Sequence, residues 1–264
     1  MKLLKRGLIM LTFISCAKTM ASRYTLTVPK VTVPFFETEA VSNVLEMSQY
    51  SVGELEKLLR VNTKIATENW FRFHDFCSET NRPMPAICAY TGIVYKHIML
   101  EDFTVDDFLY AQEHLRITSF LYGLLCSLDG IKPYRLEGDV RLSEKGGDSM
   151  FDYWKLLLTD LFITTIKKQG GILINLASSE MKGLFDWKHV ESEVRVITPE
   201  FQIWKGGKLK TIVVYTKMCR GEMLRYIIKN RIERPEDLKA FSWEGFTFDG
   251  NHSMDNHLQF TLIS

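Results

Sequence analysis

No CxxC spacing and no paired histidines occur in these 264 residues. The five cysteines, Cys16, Cys77, Cys88, Cys126 and Cys219, form an odd set, which argues against a disulfide framework and against structural zinc. Reduced thiols are the default expectation. A Walker loop, a GxGxxG turn and a G-x-S-x-G elbow are also missing, so the recognised nucleotide and hydrolase signatures are excluded. No cofactor and no metal site are expected. Charge of one sign is scarce as well: 33 Lys and Arg stand against 32 Asp and Glu. That balance excludes a histone-like binder that is basic all over. The apolar stretch from Gly7 to Ile14 is too short to cross a bilayer.

What is present is the composition of a globular protein, 46% apolar and 12% aromatic, long enough for a sizeable core. One compact domain is expected over 10–264, with residues 1–9 as an N-terminal extension and Met10 as a plausible start. Met1 to Arg6 is basic, Gly7 to Ile14 mostly apolar, and Ser15-Cys16 closes the segment much as a lipoprotein signal would. That signal is the competitor; the expected reading makes Ile9 to Ile14 a buried strand of a cytoplasmic protein. Charge is unevenly spread: Lys205 to Lys239 carries ten Lys and Arg against four acids. Any nucleic-acid surface is therefore local.

Spacing marks several elements. Ser51 with Glu54, and Thr104 with Asp107, read as capping boxes, and Asn62 as a third N-cap. Ser149 to Gln169 is the clearest helix, with Phe151, Trp154, Leu158, Leu161 and Thr165 inward. Ala86 to Tyr95 reads as a strand or turn. A helix carrying Phe108, Ala111 and Leu115, a glycine turn at Leu121-Tyr122-Gly123, and a short element over Ser127 to Ile131 give the outline of a helix-hairpin-helix unit, or of an ordinary interhelical turn. Val194 to Ile197 and Phe201 to Trp204 read as strands, and Gly206-Gly207 as a hairpin turn into a strand over Leu209 to Tyr215. Phe246, Phe248, Leu258, Phe260 and Leu262 alternate as a terminal hairpin.

The stretch from Tyr215 to Arg231 reads as a basic elbow between a strand and a helix. Lys217 and Arg220 fall at the expected helix start, where cations oppose the macrodipole and a phosphate would relieve the cost. Arg225 and Lys229 follow on the expected solvent side. Cys219 lies among these cations, which could lower its pKa, or it is a plain buried residue. Strand, small polar loop and helix recur at Ser15 to Thr19, Asn175 to Glu180 and Thr216 to Gly221. If the strands are neighbours, the loops meet at one sheet edge, and Lys18, Asn175, Ser178, Glu180, Lys217 and Arg220 line one cleft. Lys18 beside Glu180 reads either as an acid-base pair or as a buried salt bridge.

Those segments resemble the signature blocks of the YaaA family of peroxide stress response proteins. The resemblance covers nearly the whole chain through Ser15-Cys16-Ala17-Lys18-Thr19, Arg72-Phe73-His74-Asp75, Gln112-Glu113-His114-Leu115-Arg116 with Leu121-Tyr122-Gly123, Pro133-Tyr134-Arg135-Leu136-Glu137, Asn175-Leu176-Ala177-Ser178, and Lys217 to Arg225. It departs at Cys16, where proline is common, and at Cys126-Ser127, where an Arg-Pro pair is common. The resemblance implies a single α/β domain with a mixed sheet of unusual topology, a basic cleft and a helix-hairpin-helix unit. It implies duplex or distorted DNA as the partner, in peroxide stress and limited free iron. The phosphate-binding set is then Lys18, Arg116, Gly123, Arg135, Asn175, Ser178, Lys217, Arg220, Arg225 and Lys229. Two alternatives remain: an enzyme acting on a nucleotide or an extruded base through Lys18 and Glu180, and an exported lipoprotein anchored at Cys16.

Overall fold

The computed structural model describes residues 10–263, so the calls on residues 1–9 lie outside the described chain. The first described strand, β1 (Met10–Ile14), is buried at every position. Helices α1 (Glu37–Met47), α2 (Val52–Leu59) and α3 (Thr63–His74) follow. Ser51 Oγ accepts the Glu54 N–H at 3.4 Å while Glu54 Oε2 accepts the Ser51 N–H at 2.8 Å, so two orphan donors are satisfied at the start of α2. Asn62 Oδ1 does the same for α3 by accepting the Ile65 N–H at 3.0 Å.

Of the strand or turn expected over Ala86 to Tyr95, the strand does not form, and the chain bends before Gly92 between two short helices. A short β2 (Met84–Pro85) runs straight into α4 (Ala86–Ala89) and, past Gly92, α5 (Ile93–Lys96). The Thr104–Asp107 capping box opens α6 (Val105–His114). The chain then departs again from its expected outline, because β3 (Leu115–Ser119) and β4 (Gly123–Cys126) pair antiparallel through Arg116↔Cys126 and Ser119↔Gly123. The glycine turn therefore belongs to a β-hairpin, not to a pair of helices. Ser119 Oγ accepts the N–H groups of Leu121 and Tyr122 inside the turn. Gly123 holds φ at +71°, and a Cβ there would lie 2.7 Å from the Trp154 ring. The turn's donors are thus spent internally and its glycine is packed against the core.

After β5 (Gly130–Ile131), Ser149 caps α7 (Met150–Lys168), which buries Trp154, Leu158, Phe162 and Ile166. Phe151, Leu161 and Thr165, expected to point inward, are only half-buried. The next strand, β6 (Ile172–Asn175), is fully buried, and α8 (Trp187–Glu193) leads into β7 (Arg195–Lys205), one continuous strand where two were expected. Gly206 and Gly207 turn it into β8 (Lys208–Lys210).

The expected strand over Leu209 to Tyr215 stops at Lys210, and α9 (Val213–Lys229) begins after two intervening residues. Val213, Val214 and Tyr215 have strand-like side chains, but all three are exposed. Cys219, Met223, Leu224, Ile227 and Ile228 form the buried face of α9, and that packing extends the helix backwards over a β-branched start. The last strands are β9 (Ser242–Trp243), β10 (Phe246–Phe248) and β11 (His257–Ile263), the final two paired antiparallel as their alternation predicts.

Among the described residues these strands build a nine-stranded mixed sheet in the order β4-β3-β1-β6-β7-β11-β10-β9, with β8 beside β7. The fold is mixed α/β. Five central strands, β3, β1, β6, β7 and β11, are parallel neighbours. Phe13 of β1 meets Phe162 of α7 at 5.1 Å between ring centroids, and Phe162 stacks on Phe185 at 4.5 Å, anchoring α7 on the sheet.

Candidate anion-binding site

From β1 the chain reaches β3 on one side of that strand and only later β6 on the other. Adjacent loops leave the C-terminal ends of β1 and β6 in this arrangement, and a crevice opens between them. Ser15 of the first loop and Ser178 of the second are joined there. Ser178 donates its N–H to Ser15 Oγ at 2.8 Å, and the two hydroxyls lie 3.2 Å apart. The crevice is a cavity of about 410 Å³, with Lys18, Arg135, Ser178, Glu180, Lys217 and Arg220 among its lining residues.

The third wall differs from expectation in kind. Lys217 and Arg220 reach the cavity from the body of α9, in its second turn, not from a helix start, so no macrodipole argument applies to them. Their position depends on a close approach. Gly221 has no Cβ, and one added there would collide with the carbonyl oxygen of Val94 in α5. His97, which caps the C-terminus of α5, adds a 2.9 Å contact from Nδ1 to Glu222 Oε1 of α9.

Charge in the cavity is arranged around Glu137, an acid that site reasoning from spacing passed over. Its Oε2 pairs with Lys18 Nζ at 3.0 Å, and its Oε1 accepts from Arg135 Nε at 2.8 Å. Lys18 thus pairs with Glu137, and the expected partner Glu180 makes no hydrogen bond or ion pair among the described residues. Its position two residues after Arg135 in the Pro-Tyr-Arg-Leu-Glu block was the available signal. Four cations and two carboxylates line the cavity, an excess of two positive charges.

Arg220 is the distinctive member. Its Nε is buried and without a hydrogen-bond partner among the described residues. Burial pushes its pKa down, opposed by attraction to Glu200, which lies beyond ion-pair distance. A buried donor left unpaired costs about 1–3 kcal/mol. Lys217 is exposed and likewise makes no ion pair among the described residues.

The floor is apolar and phenolic. Tyr95 donates to the Ser15 carbonyl at 2.9 Å, and the Tyr134 hydroxyl lies 2.8 Å from that of Tyr90 and 2.7 Å from Ser119 Oγ. Burial holds all three tyrosines well above their usual pKa, so they remain neutral. Burial likewise pushes the Cys16 thiol up to about 12, against the lowering effect of its hydrogen bond with Thr118. Cys219 is also pushed up to about 12, by burial and then by Glu222, so the neighbouring cations do not make it a thiolate.

Several expected contacts fall elsewhere. Asn175 is buried, its Oδ1 accepting the Ala177 N–H at 3.1 Å, and it shapes the loop without lining the cavity. Arg116 donates to the carbonyls of Gln112, Glu113 and Leu115 and so caps the end of α6. Arg225 is held by Asp102 and by the carbonyls of Ile98 and Met99. Lys229 pairs with Asp107 at 3.0 Å. Their solvent-side reading is corrected by these acids, which α9 spacing alone does not reveal. Gly123 lies in the β-hairpin described above.

The family described as peroxide stress protein YaaA matches residues 10–252. A UPF0246 protein of Phocaeicola vulgatus is 66% identical over 97% of this chain and 100% of its own length. One from Bacteroides fragilis is 61% identical over 96% of this chain and 98% of its own. A more distant one, from Crocosphaera subtropica, is 35% identical over 95% and 99%.

Proposed function

The chain belongs to the peroxide stress protein YaaA family and so has a role in the oxidative-stress response; we propose that it fills this role by binding DNA through phosphate groups held at the cleft. The observation that carries the reading is the surplus of two positive charges among the residues lining the cavity, with Lys217 and Arg220 making no ion pair among the described residues. Lys18, Arg135, Lys217 and Arg220 are the contacts, while Arg116, Asn175, Gly123, Arg225 and Lys229 are committed to the fold and drop out. Binding through phosphates is sequence-tolerant and salt-dependent.

A second contact surface supports this reading. Helices α2 and α3 pack on each other across a short connection in which Arg60 takes the left-handed conformation, φ 51°. They are the candidate for the helix-hairpin-helix unit that the resemblance implies. Thr63 and Lys64 open α3, and their N–H groups have no intrahelical acceptor, which suits a backbone phosphate.

The test is duplex affinity measured against salt for the Lys217→Gln/Arg220→Gln double variant. Affinity falls for all sequences, and the salt slope flattens by about 0.9 per lost phosphate contact. Unchanged affinity and slope in a folded variant would remove the cleft from DNA binding.

A further inference from the structure

A cavity of about 410 Å³ is the size of a small-molecule pocket, so a duplex can set its backbone phosphates against the rim while its body stays outside. Whatever enters is one residue of a strand or a free small molecule. Its chemistry is set by three features. The first is charge: four cations against two carboxylates leave two positive charges, whereas an internal phosphodiester brings only one negative charge. A terminal phosphate monoester carries about −1.5 to −2 at neutral pH and offers three acceptor oxygens. The second is the donor set, Arg220 and Lys217, which stand one turn apart on α9, both line the cavity, and make no ion pair among the described residues. The third is the remaining wall, built from Ile93, Val94, Phe120, Leu136 and Met181, an apolar surface suited to a flat ring. Glu180 has no ion pair among the described residues and offers an acceptor for ring or sugar donors.

We propose that this cleft is a pocket for a single nucleotide bearing a terminal phosphomonoester, its phosphate on Arg220 and Lys217 and its base against the apolar wall. The same chemistry has two sources, a free mononucleotide and the phosphorylated end of a DNA strand. Only the second source rests on the DNA-binding reading given above. Neutral Tyr95 and Tyr134 keep the floor uncharged, so the attraction is concentrated at the cationic wall.

Calorimetric titration of the full chain with deoxyadenosine 5′-monophosphate, deoxyadenosine and inorganic phosphate tests the pocket. A parallel shift assay uses blunt duplexes with and without terminal phosphates, and a closed circular duplex without ends. Saturable binding of the mononucleotide at least ten-fold tighter than either fragment is expected, and Arg220→Gln weakens it at least ten-fold. Should Arg220→Gln fail to fold, Lys217→Gln, at an exposed position, weakens it several-fold. A preference for phosphorylated ends identifies the strand end as the source; mononucleotide binding without that preference identifies the free nucleotide. Equal affinity for inorganic phosphate and the mononucleotide, or no saturable binding of the mononucleotide and no end preference, overturns the pocket. Salt-sensitive binding of circular duplex with mononucleotides ignored overturns the pocket alone. Mononucleotide binding with every duplex ignored overturns the DNA reading alone.

Discussion

Two acids show where single residues escape a reading by spacing. Asp107 is legible as the third residue of a capping box, and it does accept the Thr104 N–H at 2.9 Å. Unseen is that it also pairs with Lys229 at 3.0 Å and Arg231 at 2.7 Å, because those partners are more than a hundred residues away. Burial alone would push its carboxyl up, but the bonds from Thr104, Lys229 and Arg231 outweigh that and hold it well below the usual range. A depressed folded pKa means stabilisation that is present above the unfolded value near 4 and is lost as pH falls below it. Asp107→Asn therefore costs about 3 kcal/mol at pH 7 and flattens the loss of stability in acid, measured by urea unfolding between pH 7 and pH 3. An acid slope equal to that of the parent would assign the linkage elsewhere. Glu137 is the second case, an acid that joins Lys18 to Arg135 within the cleft. Glu137→Gln raises the net positive charge of the cavity by one, so duplex affinity rises several-fold at low salt while stability falls by about 1–2 kcal/mol. Weaker binding at every salt concentration would show that Glu137 is needed to position its two cations.

Elements were legible wherever a local signal decides them. Ser51, Asn62 and Thr104 each cap the helix that their spacing marks, because a cap is an interaction over three residues. The β7–β8 turn at Gly206-Gly207 is local in the same sense. Misreadings fell where tertiary packing overrides propensity: Val213 and Val214 are helical because residues further along α9 are buried, and Gly123 turns a β-hairpin because Trp154 lies beneath it. Gly221 carries the strictest demand on an element. Gly221→Ala is favoured by helix propensity by about 1 kcal/mol, yet the added methyl meets the Val94 carbonyl and forces α9 away from α5. A net loss of about 2 kcal/mol is expected, together with weaker DNA binding, since Arg220 moves with the helix. A thermal melt and a shift assay check both, and a variant as stable as the parent would show that the helix can give way freely.

At the scale of the whole molecule, the adjacency of β1 and β6 follows from two short apolar runs that each end in a small polar loop, and their loops do share the crevice. The pairing of β7 with β11 has no such local trace, although seven consecutive residues from His257 to Ile263 run parallel to Thr198 to Trp204. Leu258 and Phe260 are buried in that ladder. A chain stopped after Asn256 is expected to lose its native near-ultraviolet circular dichroism and to aggregate, because β7 and β10 are both left with open edges. A soluble, cooperatively melting product would show that β11 is dispensable. The same topology bears on synthesis. Met10 pairs with Ile172, so the first strand emerges from the ribosome long before the strand that covers one of its edges. At usual elongation rates the wait is on the order of ten to thirty seconds, with Met-Leu-Thr-Phe-Ile uncovered on that side. A nascent chain in that state exposes an unpaired apolar edge of the kind that aggregates before folding is complete.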